Sequence, residues 1–130
     1  MNPLVNDWIE KAEGDYHAAG RELHVQKMPA YHVSCFLSKQ YAEKYLKAFL
    51  QFHKQEIPKI HKLIDLLVLA KQVDTSLEIL RPDLEVLERY SVRVRYPGTN
   101  VEKEDAKAAF SAVKVVRELM RRMLELSNNE

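Results

Sequence analysis

Apolar residues recur at three- and four-residue spacing along most of the chain, and no segment alternates apolar and polar cleanly for long. The pattern predicts helices rather than strands. A first helix is expected over about 4–25, with Val5, Trp8, Ala12, Ala19 and Leu23 on one stripe and Tyr16 at its edge. Lys27-Met28-Pro29 breaks that pattern. A second helix over about 30–54 carries Val33, Phe36, Leu37, Tyr41, Tyr45, Leu46, Ala48, Phe49, Leu50 and Phe52. So wide an apolar arc belongs to a central helix that touches more than one neighbour.

Pro58 closes the next connection, and a third helix over about 60–72 turns Leu63, Ile64, Leu67 and Val68 inward. Asp74-Thr75-Ser76 reads as a polar turn. A fourth helix starts near 77 or 82 and runs to about 94. Pro82 suits a first helical turn, so 77–81 can be a separate short turn. A fifth spans about 102–127, with Thr99 and Asn100 as candidate caps and Glu102, Glu104 and Asp105 favouring its positive end. Ala109, Ala112, Val113, Val116, Leu119, Met120 and Met123 form its inward stripe, and Arg117, Arg121 and Arg122 carry the charge sign that suits a C-terminus. Long helices joined by short breaks imply an all-α, antiparallel up-and-down four-helix bundle with an additional short helix, five helices in all.

Composition narrows the class. At 130 residues the chain is expected to be a single domain spanning 1–130, with 46% hydrophobic and 30% charged residues. Twenty basic and nineteen acidic side chains leave a net charge of +1, which argues against a dedicated duplex-DNA binder and leaves room for a local nucleotide or RNA site. The single cysteine, Cys35, excludes an internal disulfide, and its apolar neighbours predict a buried thiol. No N-terminal signal pattern occurs and no apolar run nears the roughly 18 residues of a membrane span, so a cytoplasmic protein with no membrane contact is expected.

Candidate chemistry centres on Arg93-Val94-Arg95-Tyr96-Pro97-Gly98. Arg95 offers a planar fork of donors suited to phosphate, Arg93 can assist it, and Tyr96 can stack or hydrogen-bond, while Pro97 and Gly98 turn the chain. The same residues also fit a plain interhelical turn with solvated arginines. His61 follows Pro58, with Asp65 one turn on to orient an imidazole; a cap or interhelix hydrogen bond serves the spacing equally well. In the second helix Gln40, Glu43, Lys44 and Lys47 form a polar line that reads as a solvated face, from which Lys44 and Lys47 can extend a positive rim. Glu13 and His17 stand one turn apart, but nothing nearby completes a metal set, and no phosphate loop or nucleophile signature occurs. No metal, cofactor or catalytic residue is expected.

Three segments together resemble the HEPN family (higher eukaryotes and prokaryotes nucleotide-binding). WIEKAEGDYHAAGREL from Trp8 is similar to the family's opening W-x3-A-x2-D-x2-A pattern. FLSKQYAEKYLKAFL from Phe36 resembles its Q-x2-E-K-x-L-K-A core, and IPKIHKLIDLL with RVRYPG supplies the third. The resemblance implies a helical bundle that is commonly a homodimer. It also implies pairing with a minimal nucleotidyltransferase in toxin–antitoxin-like modules, or metal-independent ribonuclease action through an R-x4–6-H motif. No arginine here is followed by histidine at that spacing, and all five histidines precede Arg81. The expectation is therefore a non-catalytic nucleotide-binding or nucleotidyltransferase-partner subunit. Its site would be formed by Arg93, Arg95, Tyr96, His61, Lys44 and Lys47. A ribonuclease of variant motif and a purely structural dimerisation module are the alternatives.

Overall fold

Asn2 opens the first helix: its side chain accepts the Leu4 amide at 2.7 Å, and Pro3 fills the first turn, where its missing N–H costs nothing. In this computed structural model, which describes residues 2–90 and 100–126, α1 spans Pro3–His24. The chain then leaves helical geometry, with Met28 in the left-handed region at φ 52° and Pro29 behind it. α2 spans Tyr31–Phe52. It ends without glycine: Lys54 takes the left-handed conformation at φ 59°, and the amides of Lys54 and Gln55 return to the carbonyls of Gln51 and Leu50 at 3.0 and 2.8 Å. That pair of bonds is a Schellman closure.

α3 spans Leu63–Val73, and its first amide is capped from a distance by Glu88, whose Oε1 accepts from Leu63 N at 2.6 Å. A 3-10 helix over Thr75–Leu80 follows, started by Asp74 accepting from Ser76 N at 2.9 Å. It leads directly into α4, Arg81–Glu88, with Pro82 in the first turn. Of the separate short turn expected at 77–81, residues 77–80 belong to this 3-10 segment and Arg81 opens α4. α5 spans Lys103–Met123. Its cap is Glu102, reciprocated by Asp105, rather than Asn100; Thr99 lies outside the described residues. A capping box satisfies two orphan amides at once, so it outcompetes a single side-chain acceptor. A second Schellman closure, on Glu125 at φ 59°, ends α5.

The described residues contain no strand, and the helices form the expected all-α up-and-down bundle. α2 is central: it touches α1, α3, α4 and α5. Tyr41, Tyr45, Leu46, Phe49 and Leu50 of α2 are fully buried against Val5, Ala12 and Ala19 of α1, and Ala109, Val113, Val116 and Met120 of α5 close the other side of the same core. Cys35 is buried as expected. α3 turns in Leu63, Leu66, Leu67 and Ala70, whereas Val68, expected inside, is 48% exposed. α3 packs on α2, on α4 and on the 3-10 segment, and Val68 points away from the face that does so.

Candidate functional site

Two groups of buried charge flank α2. In one, Lys39, Glu43 and Lys47 stand at successive turns, where residues four apart are neighbours. Lys39 Nζ donates to Glu43 Oε1 at 2.6 Å and to the carbonyl of His61 at 2.7 Å. Lys47 Nζ donates to Glu43 Oε2 at 3.0 Å, and His61 Nδ1 meets the same oxygen at 2.8 Å. The three side chains from α2 are nearly sealed, Lys39 at 3% exposure, while the His61 side chain is 75% exposed. The result is a buried carboxylate with two buried ammonium groups and one exposed imidazole around it. Burial would raise the Glu43 carboxyl, but the hydrogen bonds from Lys39, His61 and Lys47 outweigh it and hold it below its ordinary value. The Trp8 ring of α1 lies 5.9 Å from Lys47 Nζ, in cation–π range.

On the other flank, Glu13 of α1 faces Arg117 and Arg121 of α5. Arg117 grips it in a fork, Nη2 to Oε1 at 2.7 Å and Nε to the same oxygen at 3.0 Å, and Arg121 Nη1 stands 3.4 Å from Oε2. Tyr45 donates to Glu13 Oε2 at 2.9 Å and accepts from Arg121 at 3.2 Å; Tyr41 adds a weaker bond at 3.3 Å. Desolvation opposes the Glu13 charge, and the bonds from Arg117 and Tyr45 with the two arginine charges prevail, so its carboxyl is held low. Burial, then the Glu13 charge, pushes the Tyr45 hydroxyl up to about 12, which keeps it a donor.

These contacts revise several expectations. The polar line of α2 is not a solvated face, because Glu43 and Lys47 are buried where a central helix has neighbours on most sides. Lys44 is partly exposed but is committed to Asp15 at 2.7 Å and stands apart from the Glu43 group. His61 pairs with Glu43 rather than Asp65, since it precedes α3 and Asp65 points to solvent from within it. Glu13 is taken up by arginines and leaves His17 exposed, and among the described residues no group of three or more potential ligands stands ready for a metal. Arg117 and Arg121 are core charges rather than exposed partners of a helix end. Of the expected site residues, His61 and Lys47 come together; Arg93, Arg95 and Tyr96 lie outside the described residues. Lys39 and Glu43 complete the group, and their four-residue register with Lys47 was the visible signal.

The sequence profile of the HEPN domain matches residues 5–123. The chain belongs to the HEPN domain family. Among solved structures, this HEPN chain is 26% identical to TT1696 from Thermus thermophilus, with a TM-score of 0.78 over 95% of this chain and 99% of that one. It is 25% identical to ST0689, an archaeal HEPN homologue, with a TM-score of 0.72 and the same coverage. No curated protein matches it. Among the described residues of this HEPN domain no helix is long and apolar enough to cross a membrane.

Proposed function

We propose that the chain is a non-catalytic nucleotide-binding subunit that serves a minimal nucleotidyltransferase partner within a toxin–antitoxin-like module. In this reading it is one cytoplasmic domain acting as a homodimer. The supporting observation is the Glu43 group: two lysines against one carboxylate leave an excess positive charge next to the exposed His61 ring. With Nδ1 committed to Glu43, Nε2 of His61 is the atom offered to a ligand. In this proposal Lys47 supplies positive potential from beneath, while Lys44, held by Asp15, contributes only to the rim. Arg93, Arg95 and Tyr96 supply the phosphate fork and the stacking ring.

Titration with ATP, free of divalent metal, tests the site. Arg95→Ala and His61→Ala are each expected to weaken binding by roughly tenfold, the value of one charge-assisted contact, with the helical bundle retained in both. Affinity equal to the unaltered protein in both variants would remove the site. Co-expression with a nucleotidyltransferase encoded beside it tests the partnership, expected as a stoichiometric complex.

A second reading draws on the same pair. A carboxylate that orients an exposed imidazole is an arrangement for general base chemistry. RNA cleavage that persists in EDTA and stops on His61→Ala would favour a ribonuclease of variant motif over the binding subunit.

A further inference from the structure

A line of lysines follows the rim of α5 that faces α1. Lys103, Lys107 and Lys114 are separated by four and seven residues, so they share one side of the helix. All three are exposed, and they span about 16 Å of helix axis. Beneath the line the two helices meet closely: Gly20 of α1 lets the Phe110 ring approach, so that a Cβ added there would stand 3.1 Å from its Cζ. Phe110 stacks on Tyr16 at 5.2 Å between centroids and meets His24 edge-on at 6.2 Å, while Lys114 Nζ lies 5.0 Å from its centroid.

Two recesses open along this seam. One, of about 460 Å³, has Lys103 and Lys107 on its α5 wall and His24 and Tyr31 opposite. The other, of about 290 Å³, lies between Tyr16 and Lys114. Lys103 and Lys114 have no carboxylate within ion-pair distance among the described residues, and Lys107 has only the loose 4.0 Å approach of Glu104. Among the described residues Glu118, on the wall of the smaller recess, is the one acidic side chain lining either.

We infer that the α1–α5 seam binds the backbone of a single-stranded nucleic acid, with the lysines on successive phosphates and bases in the two recesses. A line one lysine wide tracks a strand. An acidic partner helix would bury a broad apolar face beside its charges, whereas the exposed surface next to these lysines offers Glu104, Ser111 and Glu118, with Val115 as the one exposed large apolar side chain described on α5. Ring-walled recesses suit bases, which stack on any aromatic face. The seam shares no residue with the Glu43 group, so it stands or falls separately from the nucleotide site.

The test is fluorescence anisotropy with labelled oligouridylate and oligothymidylate dodecamers between about 50 and 200 mM salt. Against the unaltered protein, K103E/K107E/K114E is expected to lose at least tenfold in affinity, and its salt slope to flatten by about 2, the value of three single-strand phosphate contacts. Glu118→Lys is expected to tighten binding severalfold, which a folding defect cannot mimic. Lys59→Glu, a charge reversal on the recess between α2 and α3, is expected to leave strand binding unchanged. Preference for RNA, for DNA or for neither identifies the strand and supports the seam in each case. No binding by the unaltered protein, unchanged affinity in the triple variant, or equal displacement by polyglutamate would overturn it.

Discussion

Ser38 of α2 is fully buried, and its hydroxyl has no hydrogen-bond partner among the described residues. A buried hydroxyl that gives up water without replacing it opposes folding. Ser38→Ala is therefore expected to raise stability by about 1 kcal/mol in urea denaturation, where an equal loss would show that the hydroxyl has a partner. Ser34, one turn earlier, donates to the carbonyl of Ala19 at 2.8 Å and has the opposite expectation. Sequence spacing does not separate these two serines, because which one faces a carbonyl of α1 depends on how the helices cross. The same limit hid Glu13. Its turn-mate His17 was visible in the sequence, whereas Arg117 lies 104 residues away and reaches it only through the packing of α1 on α5.

The helices themselves were largely legible, because amphipathic stripes of twenty residues leave little room for another period. Boundaries were less so. The two lysine- and glutamate-based left-handed closures at Lys54 and Glu125 lack the glycine that marks such ends, and the capping box at Glu102 was read two or three residues early. The two glycines inside α1 make the helix-scale prediction. Gly14 has open space where a Cβ would go, so Gly14→Ala is expected to stabilise by about 1 kcal/mol through helix propensity alone. Gly20 faces Phe110, and Gly20→Val is expected to destabilise by about 1–3 kcal/mol as the branched side chain forces the ring and α5 away. Thermal melts of both variants decide it; equal shifts would mean that α1 and α5 are not in close contact at this point.

At the scale of the molecule, Glu13 and Glu43 set the response to acid. Both carboxyls are held below their ordinary 4.5 in the folded state, so both bind protons more readily when the chain unfolds. Their contribution is complete above pH 4.5 and is lost as pH falls through the lower folded values. The urea midpoint is expected to hold steady from about pH 7 to pH 5 and to drop steeply below. Glu13→Gln is expected to cost roughly 3 kcal/mol at neutral pH, because two core guanidinium groups lose their shared counter-charge, and to flatten the acid slope. A variant with the slope of the unaltered protein would place the acid response elsewhere. The sequence showed the amphipathic bundle and its order, and a polar line that holds Glu43 and Lys47 but not Lys39; whether that line met water or the core was settled by α2 lying at the centre.

The clasp between Glu13 and Arg117 joins the first helix to the last. Neither can swing outward by itself without stranding an ionised group where water is scarce. Fraying of either helix past this clasp is thereby opposed by the other. Amide hydrogens near Glu13 and near Arg117 are expected to exchange through one shared opening, so that the bundle closes as a ring although its chain is linear.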